Sequence, residues 1–275
     1  MLAVNYGGAS DYTAAQVVTL LGKTTFGATS TAFGFDTSNA TAAVTYGNAL
    51  TMAAGVTKLG TGILTLSGSN TYTGATTVSA GKLSVGGSTS ASSAVGVSSG
   101  GTLGGSGIVG GNTTIASGGA LAPGNSPGVL TVSGTTTFSS GSIFEWEIDT
   151  AQSNPTTNRS IAYDGLNTGA VAGSGAIFKI MLTGVQDFTN DFWNQTRTWT
   201  DIFKSADGST TLSNWASVFS GGFQYSYNGK TVAPTSSGSF TLTGNSLTWS
   251  AVPEPSNLLA GMLAASALLR RRRSV

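Results

Sequence analysis

Two acidic residues in one short segment are the first candidates for chemistry. Glu145 and Glu147 lie two positions apart in IFEWEID, residues 143–149, and on a β-strand such residues share one face about 6.6 Å apart. That spacing lies above the carboxyl separation of retaining glycosidases, about 5–5.5 Å, and at the lower limit of the separation in inverting ones, about 6.5–9.5 Å. Because apolar residues occupy the alternate positions, an amphipathic strand with a solvated acidic face is the favoured interpretation.

The composition removes most other catalytic arrangements. The chain has no His and no Cys, so it lacks the usual general base, a thiolate nucleophile and the commonest transition-metal ligands. GVSSG at residues 96–100 matches G-x-S-x-G, but a serine hydrolase also needs a histidine and a following helix. GSGIVG at residues 105–110 matches G-x-G-x-x-G, but another turn follows it instead of a helix. We therefore expect no enzyme activity, no cofactor and no metal site.

Two tryptophans offer a different kind of site. Trp193 and Trp199 lie in DFWNQTRTW, residues 191–199, where their rings are candidates for stacking on sugars. The alternative is core packing, which is the more common use of large aromatic side chains.

The charge distribution argues against nucleic acid as a partner. Only 8% of the 275 residues are charged, and eight basic and ten acidic residues precede Pro253, which gives that part a formal charge of −2. Binding to nucleic acid requires clustered Lys and Arg to neutralise phosphates. A polysaccharide lyase or hydrolase is the least favoured alternative, since Lys58 and Lys82 are the only charged residues between positions 56 and 137.

A short pattern recurs through the middle of the chain. It reads VSAGKL at 78–83, VSSGGTL at 97–103 and IASGGAL at 115–121, with a weaker copy, FSSGSIF, at 138–144. Strand repeats of about 20 residues separated by Gly and Ser turns are typical of a β-solenoid, in which each coil covers the next. Glycine at the corners permits positive φ. We predict a right-handed parallel β-helix with roughly five coils between residues 56 and 150.

The composition changes after this region. Residues 138–249 contain all five Trp and nine of the twelve Phe, and such bulky side chains favour a different core. We therefore predict an all-β chain in four parts: a β-rich N-terminal segment at 1–55, the β-solenoid at 56–150, an aromatic-rich β cap or sandwich at 151–250, and a sorting signal at 251–275. The cap would cover the open end of the solenoid, which otherwise presents an unpaired edge.

The best-defined copy resembles a known repeat. GTGILTLSGSNTYTGATTVSAGKLSVGG, residues 60–87, closely resembles the autotransporter-associated β-strand repeat of exported β-helical proteins. APGNSPGVLTVSG at 122–134 looks like a segment common in the same proteins. The resemblance implies an exported β-helix.

The C-terminal tail resembles the PEP-CTERM sorting signal of Gram-negative bacteria. VPEPS is followed by an apolar run and then by four arginines, and the family has these three parts in the same order. The resemblance implies export, recognition by an exosortase, and release or anchoring at the cell surface, often alongside exopolysaccharide. The residues carried over are Pro253, Glu254, Pro255, Arg270, Arg271, Arg272 and Arg273.

The apolar run at 258–269 has 12 residues and would rise about 18 Å as a helix, less than the bilayer core of about 30 Å. We expect a short transmembrane helix that holds the precursor in the inner membrane only transiently, with the arginines on the cytoplasmic side. The chain would then be a non-enzymatic structural or adhesive protein of the cell surface or extracellular matrix. A carbohydrate-binding surface module is the alternative.

The first residues, MLAVNYGGASDYTAAQ, have neither the basic start nor the apolar core of a signal peptide. The family normally carries one. We therefore expect that the sequence begins at a misassigned start or comes from a fragmented gene.

Overall fold

Most of the chain forms two parallel β-sheets. The computed structural model describes residues 1–26, 32–125, 127–151, 162–183, 188, 191–227, 230–232, 234 and 238–252. Neighbouring strands of the first sheet are, in order, β1 (Leu2–Asn5), β2 (Ala32–Asp36), β4 (Gly55–Leu59), β6 (Thr76–Val78), β8 (Val95–Val97), β11 (Thr113–Ile115), β13 (Val129–Phe138), β15 (Gly165–Gly173) and β18 (Phe203–Lys204), and β10 (Ile108–Val109) also pairs with β13.

The second sheet alternates with the first along the chain. Its neighbouring strands are, in order, β3 (Val44–Tyr46), β5 (Ile63–Leu66), β7 (Gly81–Val85), β9 (Gly101–Gly105), β12 (Ala120–Pro123), β14 (Ile143–Asp149), β16 (Ile177–Thr183), β19 (Phe223–Tyr227) and β20 (Lys230–Thr231). All pairs except the antiparallel β19–β20 pair are parallel. The chain therefore passes repeatedly from one sheet to the other, with five such strand pairs between Gly55 and Asp149.

The short repeats align between neighbouring strands. Leu83 pairs with Leu103, and Leu103 pairs with Leu121, which in turn lies opposite Phe144. On the facing sheet, the first residues of the same copies align in the same way. These side chains are buried in one continuous core. The sequence period therefore equals one passage through both sheets, which stacks like residues on one another.

One α-helix was not expected in the N-terminal segment. Helix α1 (Ala14–Lys23) begins at a capping box, in which the Thr13 hydroxyl accepts the Gln16 N–H and the Gln16 side chain accepts the Thr13 N–H. Such reciprocal bonds satisfy two donors that a helix start leaves unpaired. Val17 anchors the helix to the core. The prediction of an all-β chain is wrong at this point, because the Thr-x-x-Gln signature went unrecognised among strand-like residues.

A third, antiparallel sheet follows near the end of the described chain. It contains β17 (Arg197–Trp199), β21 (Gly238–Thr243) and β22 (Ser246–Ala251) in the order β17-β22-β21, and two 3₁₀ helices, Asp191–Asn194 and Trp215–Phe219, pack nearby. Trp199 of β17 meets Trp146 of β14 edge to face, with ring centroids 5.3 Å apart. Aromatic side chains thus join this sheet to the parallel sheets.

The chain is mostly β with parallel sheets, as predicted from the strand pattern. Both parallel sheets continue across residue 150 through the β13–β15 and β14–β16 pairs, and the domain boundaries remain predictions. Among the described residues, no helix has the length and apolar character needed to cross a membrane. The predicted membrane segment at 258–269 lies outside the described residues.

Candidate functional site

A buried asparagine of the repeat at residues 60–87 makes several side-chain hydrogen bonds. Asn70 is 2% exposed, and its side-chain oxygen accepts the Leu50 N–H at 3.0 Å. Its side-chain nitrogen donates to the carbonyls of Gly68 and Ser88, both at 2.9 Å. These groups belong to the turns after β3, β5 and β7, so one side chain joins three successive turns. Buried polar groups without such partners are costly.

A second buried network links the same segment to the next strand pair. The Tyr72 hydroxyl and the Thr76 hydroxyl are 2.6 Å apart, and Thr76 lies 3.0 Å from the Ser93 hydroxyl. The backbones at Gly74 and Gly55 lie so close together that a Cβ on Gly74 would be 2.2 Å from the Gly55 nitrogen. Glycine at position 74 permits this close approach. Asn70, Tyr72 and Gly74 of the N-T-Y-T-G segment therefore take part in the packing of successive strand pairs.

Four glycines occupy equivalent turns that connect a strand of the first sheet to the next strand of the second sheet. We call these turns the corners, and the successive strand pairs the stack. Gly100, Gly118, Gly141 and Gly175 have φ between +70° and +78°, a region that side chains other than glycine rarely adopt. The N–H of each of the first three donates to the carbonyl of the next at 2.9–3.0 Å. The prediction that glycine provides positive φ at the corners is confirmed.

The candidate ligand site is a groove on the outer face of the second sheet. It encloses about 500 Å³, and its polar lining comprises Thr65, Lys82, Ser84, Asn125, Glu145, Glu147 and Asp164. Two small residues follow Ser84 across neighbouring strands of this face, because Ser84 pairs with Gly104 and Gly104 pairs with Ala122. A Cβ on Gly104 would lie 2.7 Å from the Lys82 Cε, so the lysine side chain runs across that glycine.

Asp164 fixes one wall of the groove. It is 2% exposed, and its two carboxylate oxygens accept the N–H groups of Gly128 at 2.8 Å and Glu147 at 3.0 Å. Burial raises the pKa of Asp164 well above its ordinary value, while those two hydrogen bonds oppose the shift. Gly124 reaches the required turn with φ +81°. The backbone of Gly128 is thereby held against that of Glu147 in the sheet.

The charged side chains of the groove are of mixed sign. Glu145 forms a 2.7 Å ion pair with Lys179 on the neighbouring strand β16, and each side chain is 24% exposed. The positive charge of Lys82 also acts on Asp164. Asn125 is exposed on the loop, where its side chain donates to the Ser106 hydroxyl at 3.3 Å. The groove therefore offers both hydrogen-bond donors and acceptors.

This arrangement suits binding better than proton transfer. Both oxygens of Asp164 are engaged by backbone donors, and Glu145 is engaged by Lys179. A general acid or base must instead point at a reacting group within hydrogen-bond reach. Within the described residues, no three His, Cys, Asp or Glu side chains form a group that could hold a metal ion.

The sequence-predicted residues have different positions in the fold. Glu145 and Glu147 lie on the outer face of β14, opposite its buried apolar positions, as the alternation predicted, and both line the groove. Trp193 and Trp199 are fully buried, so in this structure neither presents a ring face to a sugar, and both pack in the core. The sorting residues 253–255 and 270–273 lie outside the described residues.

Sequence reasoning identified only Glu145 and Glu147 of the polar lining and missed, among others, Lys82, Asn125 and Asp164. Lys82 could have been found from the repeat alignment, since its copy-related neighbours Thr102 and Ala120 are uncharged. Asp164 carries no local signal, because its partners Gly128 and Glu147 are 36 and 17 residues away.

Together these features define a mostly-β protein built from two parallel sheets, with buried polar clamps between turns and a polar groove on one outer face. Residues 56–85 match the family model of the passenger-associated-transport-repeat. This match supports the resemblance of that segment to the autotransporter-associated repeat and indicates an exported or surface protein. No curated protein matches the chain.

Proposed function

We propose that this chain is a non-enzymatic β-solenoid protein of the bacterial cell surface or extracellular matrix, with a structural or adhesive role. In this proposal the two parallel sheets are the walls of a right-handed β-helix. The observation that carries it is the coincidence of the repeat match at 56–85 with the buried clamp of Asn70. A repeat whose buried polar residues, such as Asn70, bond to neighbouring turns supports a structural use.

The proposal extends to the C-terminal tail. Pro253, Glu254 and Pro255 form the recognition element for an exosortase, the segment at 258–269 holds the precursor transiently in the inner membrane, and Arg270, Arg271, Arg272 and Arg273 stay cytoplasmic. Two prolines keep the recognition element extended, and clustered arginines fix membrane orientation. After cleavage, the protein joins the cell surface or the matrix alongside exopolysaccharide.

The test is expression in a Gram-negative host that carries an exosortase, with a signal peptide fused before Met1. Mass spectrometry of the exported protein should show a C-terminus at or near the Pro-Glu-Pro element. Replacing the element by Ala-Ala-Ala should leave the tail attached and the protein in the inner membrane. The same chain in a host without exosortase is the control.

An exported wild-type protein that keeps all four arginines would overturn the sorting proposal. The structural role is tested separately by turnover assays on acidic and neutral polysaccharides, in which we expect no products. Depolymerisation that is lost in the Glu147→Gln variant would show an enzyme instead.

A further inference from the structure

We propose that the groove on the second sheet binds a neutral, hydroxyl-rich oligosaccharide that lies across the strands. The site differs from the buried tryptophans, and its residues include side chains of the sheet face and Gly124 and Asn125, which follow β12. The inference goes beyond the proposed surface role, because it names a ligand class and does not depend on export.

The shape of the groove favours a chain-like ligand. Its lining includes Ile63 of β5, Lys82 of β7, Glu145 of β14 and Met181 of β16, and these strands belong to a run of six neighbours, β5-β7-β9-β12-β14-β16. Parallel strands are about 4.8 Å apart, so five steps correspond to roughly 24 Å. A volume of about 500 Å³ over that length describes a shallow trough, which fits an extended polymer better than a compact molecule.

The charges select among polymers. Glu145 and Lys179 neutralise each other at 2.7 Å, and the positive charge of Lys82, which lines the same groove as the buried Asp164, acts on that carboxyl group. Nucleic acid requires a run of unpaired cations, and a polyuronate requires the same. Among the described residues, the lining of the groove contains no such run of unpaired cations. A neutral polymer avoids the cost of burying a ligand charge without a partner.

The remaining contacts suit hydroxyl groups. Each sugar hydroxyl both donates and accepts hydrogen bonds, and Lys82 supplies donors, Glu147 supplies acceptors, and the Asn125 amide supplies both. Ile63, which is 39% exposed, adds an apolar surface for the C–H side of a sugar ring. Asp164 is the positioning residue. Its carboxylate accepts the N–H of Gly128, three residues after Asn125, and so helps to hold Asn125 in place.

The experiment is titration calorimetry of the full chain with neutral gluco-, manno- and galacto-hexasaccharides and with hexagalacturonate. We expect saturable binding of at least one neutral hexasaccharide and at least tenfold weaker binding of the galacturonate. Asn125→Ala and Glu147→Gln should each weaken that binding at least tenfold. Thr114→Ala changes an exposed hydroxyl on β11 of the other sheet and should leave binding unchanged.

Urea unfolding of each variant separates lost binding from lost structure, since Asn125 and Glu147 contribute these side chains at the surface. Absence of saturable binding to every neutral hexasaccharide would overturn the proposal. So would equal binding by wild-type protein and both groove variants, or a preference for the galacturonate. None of these results bears on tail processing, which is measured in cells by mass spectrometry.

Discussion

Asn70 belongs to the matched repeat and stabilises the fold through its buried side-chain hydrogen bonds. Replacing it with alanine leaves the Leu50 N–H and one bond of the Ser88 carbonyl unsatisfied in the interior. We expect Asn70→Ala to lower the free energy of unfolding by about 3 kcal/mol, measured by urea denaturation. Thr73→Ala, at an exposed position of the same segment, should stay within about 0.5 kcal/mol of wild type. If Asn70→Ala unfolds at the same urea concentration as Thr73→Ala and wild type, the side-chain bonds of Asn70 do not stabilise the fold.

Lys58 makes the free energy of unfolding depend on pH in the alkaline range. Its side chain is buried, and its ammonium group donates to the carbonyls of Leu59, Gly60 and Ala80 at 2.7, 2.7 and 3.1 Å. Burial lowers the pKa of Lys58 to about 8, although the nearby Asp36 carboxylate opposes this shift. An unfolded lysine has a pKa of about 10.4. Between these values the unfolded state binds more protons, so stability rises with pH.

The check is the unfolding free energy of wild type and Lys58→Met from about pH 7 to about pH 10. The difference, wild type minus variant, should increase with pH above about 8, and it should be flat below that value. Titration of all other groups cancels in the comparison. A difference that falls with rising pH would mean that the folded state holds this proton more tightly than the unfolded chain.

At the scale of elements, strands with a strong period were predictable and elements with distant partners were not. The alternation in β14 follows from seven residues, 143–149, and the structure has the same alternating burial. The short repeats likewise identified stacked positions such as Leu103 and Leu121. Helix α1 was missed because its signal is one capping box. The wall of the groove was missed because Asp164 acts through backbone groups that are far along the chain.

The corner glycines allow backbone conformation to be tested without steric clashes. Gly100 has φ +78°, while Gly96, in strand β8, has no positive φ, and an added Cβ at either position would meet nothing within 4 Å. We expect Gly100→Ala to destabilise by about 1–2 kcal/mol through the left-handed conformation alone. Gly96→Ala should be neutral or stabilising by up to about 1 kcal/mol. Chemical denaturation measures both, and equal effects would show that the corner tolerates a side chain.

At the scale of the whole molecule, the aromatic residues explain how the stack ends. The composition change over residues 138–249 predicted a different core. Trp249, Phe240 and Trp193 pack together, with centroids 4.9–5.8 Å apart, but they belong to the same continuous core as the stacked strands. The indole N–H of Trp249 donates to the Trp193 carbonyl at 2.8 Å. Sequence composition could indicate this cluster, but not which strand covers it, because antiparallel pairing of β22 with β17 spans about 50 residues.

Removing that cover should turn the end of the stack into an association surface. A chain that ends after Tyr227 lacks β20, β21 and β22, so Trp193 loses Trp249 and Phe240, and the edge of β19 loses its antiparallel partner. Exposed aromatic surface and an unpaired strand edge both favour contact with other chains. We expect concentration-dependent association by size-exclusion chromatography with light scattering, beyond that of a chain ending after Val252. If both truncated chains stay monomeric and have the same unfolding midpoint, the antiparallel sheet does not cover the stack, and the edge of β19 is protected by its own side chains.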